Sequence, residues 1–461
     1  MGTPYEGIRK THDIEGFSTE PNVVLPNDDL DLQLVWLRAV EKMGPRAITA
    51  ALLGEFWLSI ITPYWNEYGI GKNNMARGLS APLSGDYKNS WKHSNGAWIR
   101  TEVWASLAPG CPDVAARYAI EDASVDHGTG EGTYAAAFVA AMQSSAYVIS
   151  DLKTCIRIGL AAIPEDCRVA KSVKLVLDLY AEGVDYREAR ERVFAQNEDL
   201  GDGWFEAPSN VAYTVIGLLY GEGDFKRSMI YAINCGDDTD CTGATVGSTL
   251  GILGGLAAVP EDWRKHIGDA IVTVSLAKGS VFDGFPKTCT ELTERIAREA
   301  PETLIANKTG VELTDGDDEI PEDAAEKYLQ SGATRARLSR MMPNSVTVDF
   351  IYASVTASLE KGPDIAPGGV CPITLRFENH IRKLVNCPYN LTLRWILPDG
   401  WRVDGPQTVL LFHHSSHTEP ECEVRVKLFA PETVAPTNRI VLEVTGEGRV
   451  AAGYLPIVLL G

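Results

Sequence analysis

The sequence predicts a multi-domain α and β protein, with a large all-α domain of orthogonally packed helices followed by a small all-β sandwich of immunoglobulin-like type. Three observations carry this. Apolar residues recur at helical spacing through the front part, a nine-residue helical corner occurs there twice, and near Ser345 the period shortens to that of strands. The expected boundaries are 1–310 for the helical domain, 311–344 for an acidic linker with a short helix, and 345–461 for the β domain.

Helical spacing is clearest in DLQLVWLRAVEKM (31–43), YAAAFVAAMQSSAYVISDL (134–152) and NVAYTVIGLLYG (210–221). The repeated corner is LAAIPEDCR at 160–168 and LAAVPEDWR at 256–264. In each, an apolar helix is expected to stop before proline, and Pro-Glu-Asp to open the next helix with its acids at the positive end. ELTDGDDEIPED (312–323) reads as solvated linker, and AAEKYLQSG as a short helix. Beyond Ser345, VTVDFIYASVTASL, CPITLRFE, LTLRWIL, CEVRVKLFA and RIVLEVTG are short, β-branched and separated by Pro or Gly turns.

Composition narrows the function. Net charge is −20, which disfavours nucleic acid and anionic membrane as partners, because a phosphate footprint needs clustered Lys and Arg. Only −2 of it falls from Ser345 onward, so the acid sits in the helical part, as suits a region that holds cations. The nine cysteines include no CxxC pair and are odd in number, so neither a zinc site nor a disulfide framework is indicated. No signal peptide opens the sequence and no apolar run is long and clean enough to span a bilayer, which reads as cytoplasmic.

Three constellations offer chemistry. LPNDDLDLQLVW (25–36) sets Asp28, Asp29 and Asp31 at a helix start, which by itself is an N-cap with acids at the positive end. NCGDDTDCTG (234–243) places Asp237, Asp238 and Asp240 against seventeen residues without formal charge, Gly243 to Val259. Two acid clusters at two helix starts give the oxygen-rich donor set that Mg²⁺ or Ca²⁺ prefers, and a cation would offset buried negative charge. EDASVDHGTGEGTYAAAFVAA (121–141) puts His127 in a loop with Gly128, Gly130 and Gly132, a loop able to bring backbone N–H groups to a phosphate. By itself His127 reads as a structural hydrogen-bonder. His413, His414 and His417 read as an exposed strand end, and Trp57, Trp98 and Trp104 as core or pocket wall. Trp98 and Arg100, beside Asn95-Gly96, are candidates for adenine or phosphate contacts.

Taken in order, GTPYEG (2–7), PNDDLD (26–31), NGAWIR (95–100), DASVDHGTGEGTYAAAFVAA and INCGDDTDCTGATVGSTLGILGG resemble the successive motifs of the ADP-ribosylglycohydrolase family, over roughly residues 1–300. The resemblance implies a binuclear Mg²⁺ site with Asp28 and Asp29 on one side and Asp238 and Asp240 on the other, with Asn27 standing where the family has Thr. Glu6 matches a mobile glutamate near the reacting centre. His127, Gly128, Gly130, Gly132 and Tyr134 match the lining of the ADP-ribose pocket, to which Asn95 and Gly96 are also assigned. The implied reaction is hydrolysis of the bond between ADP-ribose and an acceptor on a protein or small molecule, with Asp29 or Glu6 as general acid/base. Three positions depart from the pattern: Asn27, Asp237 in place of a glycine, and Cys241 in place of a hydroxyl residue. The Gly-Asp-containing helix expected ahead of Gly2 is not in this sequence. Two other readings remain open: a member that binds ADP-ribose or metal without turnover, and a haloacid-dehalogenase-like phosphatase, because Asp238-Thr239-Asp240-Cys241-Thr242 also fits Asp-x-Asp-x-Thr.

Overall fold

Short polar side chains start many of the helices by accepting backbone N–H groups that no helical carbonyl can reach. Asn27, Thr49, Asp151, Asp185, Asp224 and Thr288 each cap in this way. The structure, a computed structural model, describes residues 5–17, 25–201, 204–277, 279, 283–316, 319–380, 389–412 and 420–461. The histidines at 413, 414 and 417 lie outside the described residues.

The first helices are α1 (Asp28–Met43), α2 (Ala50–Ser59), α3 (Asn66–Ala76), α4 (Leu83–Asp86), α5 (Glu102–Leu107) and α6 (Pro112–Ala123). Then come α7 (Glu131–Ala146), α8 (Leu152–Ala162), α9 (Arg168–Ala181), α10 (Tyr186–Asn197), α11 (Ala207–Tyr220) and α12 (Phe225–Asn234). The last are α13 (Thr239–Ala258), α14 (Glu261–Ile267), α15 (Cys289–Ala306), α16 (Ala324–Gln330) and α17 (Ala333–Arg340). Two compact units result: Met1–Lys72 with Asn89–Arg340, and Asn73–Lys88 with Met341–Gly461. Residues 73–88, which the sequence reading put in the helical domain, therefore belong to the second unit.

In the first unit α7 is buried along nearly its whole length, and its alanines let α5, α6 and α8 pack close. Gly159 of α8 is part of that fit, since a Cβ there would come within 2.9 Å of the Phe138 ring. The 134–152 helix is in fact two, because Asp151 caps α8 and breaks the run. The first Pro-Glu-Asp corner also differs from expectation. There the helix begins later, at Arg168, with Cys167 as its cap, whereas Glu261 and Asp262 do open α14 after Pro260. By length and composition α13 could cross a membrane, but its first half is buried and packs on α7, α11 and α12.

In the second unit β1 (Ser345–Asp349), β2 (Ala353–Leu359), β3 (Val370–Asn379), β4 (Tyr389–Ile396) and β5 (Arg402–Asp404) are followed by β6 (Thr408–Leu411), β7 (Glu421–Phe429), β8 (Asn438–Gly446) and β9 (Ala452–Leu459). They form two antiparallel sheets, ordered β1-β2-β3-β7-β5 and β6-β4-β8-β9. Along β3 and β8 burial alternates, as a strand with one covered face requires. Val355, Ile373, Phe377 and Leu428 of one sheet share a core cluster with Leu391, Ile440, Leu442 and Ile457 of the other. Leu79, Leu83 and Tyr87 complete that cluster from the early segment.

Candidate active site

Two chain features bring the acids together in the first unit. α1 begins at Asp28 because Asn27 Oδ1 accepts the Asp29 N–H at 2.7 Å. α13 begins at Thr239 after a tight turn in which Gly236 has φ +77° and Asp237 φ +66°. A Cβ at Gly236 would come within 2.7 Å of the Ile8 carbonyl, so that glycine is required. Aspartate tolerates the left-handed region, which explains how Asp237 stands at a glycine position. Its backbone bridges Ile8 (N–H to Ile8 O, 2.9 Å), and the Gly7 N–H donates to the Asp237 carbonyl at 2.8 Å. That bridge carries Glu6 to the cluster.

Carboxyl oxygens of Glu6, Asp238 and Asp240 lie within 4.8 Å of one another, and so do donor atoms of Asp29, Asp240 and Cys241. Asp240 belongs to both groups. Asp29 is 6 % exposed, with Oδ1 3.7 Å from Cys241 Sγ and Oδ2 without a partner. Asp240 Oδ1 is likewise buried without a partner. Burial first, then Asp240, Asp28 and Asp238, hold the Asp29 carboxyl well above the usual range. Burial and then Asp240 do the same for Asp238. Burial raises Asp28 as well, against the hydrogen bond that Tyr68 donates to its Oδ2 at 3.2 Å. Glu6 sits at the exposed edge, its carboxyl raised to about 7 by desolvation, Asp240 and Asp28. Crowded acids with unpartnered buried oxygens are the donor set of a divalent cation, and the residues present fit one.

Asparagines position this cluster. Asn95 donates through Nδ2 to Asp238 Oδ2 at 2.7 Å while its Oδ1 accepts the Trp98 indole N–H at 2.9 Å. Asn210 accepts the Asp238 N–H at 3.2 Å and donates to Asp237 Oδ2 at 2.9 Å. Asn27 faces Asp240 with its NH₂ group, 3.0 Å from Oδ2, and spends its oxygen on the helix cap. It therefore steadies a carboxylate where an oxygen ligand was expected. Asp31 is also structural: its Oδ2 accepts the N–H groups of Val274 and Ser275, both at 2.7 Å.

The glycine loop has a packing job in the structure. His127 is fully buried, 2.9 Å from Asp126 Oδ1 through Nδ1 and 3.2 Å from Ser94 Oγ through Nε2. A Cβ at Gly132 would overlap the His127 ring and come within 2.9 Å of the Ser94 carbonyl, and one at Gly130 would overlap the Lys92 carbonyl. Gly128, at φ +53°, gives its carbonyl to Thr133 Oγ1 at 2.8 Å. These glycines let α7 close on the 92–94 segment, and Tyr134 on the same helix is half-buried. Gly96 likewise lets Tyr68 approach, since a Cβ there would stand 2.9 Å from Tyr68 Cε1. Arg100 is not available to a phosphate. It is buried between Asp122 (3.0 Å) and Asp126 (2.8 Å), and Trp57, Trp98 and Trp104 are buried around it. Tyr68 and Asn210 carry no local signal in the sequence; only the fold brings them to the cluster.

The loop at 238–242 follows the helix α12, and all the strands named above lie from Ser345 onward, so among the described residues the surroundings lack the strand-led sheet that a haloacid-dehalogenase-like phosphatase needs. The family model for ADP-ribosylglycohydrolases matches residues 1–301, and the chain belongs to that family. It is thus of ADP-ribosylglycohydrolase type, a family of hydrolases acting on ADP-ribosylated substrates. No curated protein matches the sequence. Among solved structures, an ADP-ribosylglycohydrolase-related protein complex aligns at 19% identity over 66% of this chain and 92% of that one, with a TM-score of 0.39. A FixG-related protein from Vibrio parahaemolyticus aligns at 12% identity over 24% of this chain and 97% of that one, with a TM-score of 0.20. The Pseudomonas fluorescens alkylpurine DNA glycosylase AlkC aligns at 13% identity over 71% and 97%, with a TM-score of 0.15. The assignment rests on the family match and not on these scores.

Proposed function

We propose that the protein is a Mg²⁺-dependent hydrolase that cleaves the glycosidic bond between ADP-ribose and an N- or O-linked acceptor, at a site for two cations. The observation that carries this reading is the pair of buried, unpartnered oxygens, Asp29 Oδ2 and Asp240 Oδ1, inside a cluster of Glu6, Asp29, Asp238 and Asp240, with Asp28 close enough to act on Glu6 and Asp29 through its charge but in neither group of converging donors. Cations bound there would supply a clamp on ribose hydroxyls and a more acidic water. The chain's own residues do the rest. Asn95, Asn27 and Tyr68 hold Asp238, Asp240 and Asp28 in fixed orientations, which lowers the reorganisation needed at the moment of reaction. Between the two candidates for general acid/base, exposure favours Glu6 over Asp29: Glu6 Oε can exchange a proton with an incoming water or a departing acceptor, whereas Asp29 is enclosed. The substrate is an ADP-ribosylated protein or a small ADP-ribose conjugate. The two-sheet unit reads as an immunoglobulin-like sandwich.

Calorimetric titration of ADP-ribose tests the site without assuming a linkage. Binding is expected with Mg²⁺, and is expected to vanish with excess chelator and in Asp238→Ala. A folded protein that binds ADP-ribose in none of these conditions would overturn the reading. Binding without release of acceptor from any ADP-ribosylated substrate would leave a binding protein.

A further inference from the structure

Cys241 sets a sulfur, as a hydrogen-bond donor to Asp29, inside a cluster otherwise made of oxygen groups. It is 5 % exposed, one residue after Asp240, and its Sγ lies 3.7 Å from Asp29 Oδ1. Asp29 Oδ2, on a side chain more than nine-tenths buried, has no partner, and Asp240 Oδ1 has none either. The two donor groups differ in kind. Glu6, Asp238 and Asp240 offer oxygen alone, whereas Asp29, Asp240 and Cys241 offer two oxygens and a sulfur. Sulfur is a poor donor for Mg²⁺ and a good one for zinc-class ions.

Spacing permits the mixed donor set. A sulfur at about 2.3 Å and an oxygen at about 2.1 Å from one tetrahedral ion stand roughly 3.6 Å apart. Adjacent oxygens on an octahedral Mg²⁺ stand about 3.0 Å apart. The Cys241 thiol donates to Asp29 Oδ1 at 3.7 Å, a separation that one tetrahedral ion could also span once the thiol has lost its proton.

We infer that Asp29, Asp240 and Cys241 form a mixed oxygen–sulfur cation position, which takes a zinc-class ion in preference to Mg²⁺ beside an oxygen-only position. The inference rests on the metal-dependent reading above and specifies it for this chain. The thiol gives up its proton to solvent as the sulfur–metal bond forms, and no electron is transferred.

The test uses the full-length protein stripped with chelator and then titrated with Co²⁺, whose bond to a thiolate gives an intense near-ultraviolet charge-transfer band. The band is expected in the wild type and is expected to be lost in both Cys241→Thr and Cys241→Ser. Competition should show Zn²⁺ affinity falling in these variants by at least the roughly 10- to 100-fold that loss of an outer hydrogen-bond partner costs. Mg²⁺ affinity, read from the shift in melting temperature, should stay nearly constant. Co²⁺ binding without the band, or a band that survives in Cys241→Thr and so comes from another cysteine, such as exposed Cys289 or half-buried Cys422, overturns this inference alone. If no Co²⁺, Zn²⁺ or Mg²⁺ binds at all, the metal-dependent reading falls with it.

Discussion

Asn95 is the residue on which the cluster's geometry most depends. It spends both halves of its amide, one on Asp238 and one on Trp98, so it joins a carboxylate to the aromatic core. Removing it takes the amide donor from a buried carboxylate, a loss of about 1–3 kcal/mol. In Asn95→Ala, Mg²⁺ affinity is expected to fall roughly 10- to 100-fold while the fold persists. Melting curves with and without Mg²⁺ measure both, and an unchanged Mg²⁺-induced shift would refute the positioning role. The buried Asp126–His127–Ser94 line has the order of a nucleophilic triad but none of its access. Ser94 is 1 % exposed, and Arg100 and His127 outweigh burial to hold Asp126 at about 2. A substrate cannot reach that serine, so the line serves to seat His127 beneath the 92–96 segment.

Packing of α1, α5 and α13 encloses the carboxyl of a half-buried acid, Glu102. Glu102 of α5 accepts hydrogen bonds from Gln33 Nε2 at 3.2 Å, Thr245 Oγ1 at 3.0 Å and Ser248 Oγ at 3.4 Å. Burial nevertheless pushes its carboxyl from 4.5 up to about 7. An acid raised on folding binds its proton more tightly in the folded state, so its contribution is complete below about pH 4.5 and is lost as pH rises through about 7. Wild type is expected to lose on the order of 2 kcal/mol more than Glu102→Gln between about pH 5 and about pH 8. Urea titrations at both pH values measure this, and equal losses would show that Glu102 is ionised throughout. What was legible in the sequence follows the same division between local and distant. The helix starts at Asp28 and Thr239 were readable because caps and acids are neighbours in the chain. The convergence of Glu6 on Asp238 and Asp240 was implied only by resemblance. The glycines at 130 and 132 signal close approach without saying to what. The answer, the Lys92–Ser94 backbone, is about forty residues away. β5 was too short to show a period, and in β9 Pro456 disguised an edge strand, where proline is tolerated.

At the scale of the molecule, the chain's two units are not two successive stretches of sequence. The period change at Ser345 marks where strands begin, yet the core of the second unit also requires residues 73–88. Leu79 and Leu83 are 1 % exposed and Tyr87 5 %, all within the cluster built by the two sheets. Tyr87 donates its hydroxyl to Asp364, and Asn74 Nδ2 donates to the carbonyls of Ser84 and Tyr87, both at 2.8 Å, which shapes the segment. A chain ending at Arg340 would keep these apolar side chains and lose the two sheets they pack against. Each such side chain is worth about 1.5–3 kcal/mol of burial, and three together make an exposed patch that promotes association. The truncated protein is therefore expected to bind hydrophobic dye and to aggregate, although its acid cluster is intact. Leu83→Asp in the full chain should lower the melting temperature of the β unit, because it puts a charge into the same core. A soluble, monodisperse protein ending at Arg340, with a cooperative melt and full Mg²⁺ binding, would mean that the early segment contributes nothing to the second unit. In that case the boundary at Ser345 would be the true one.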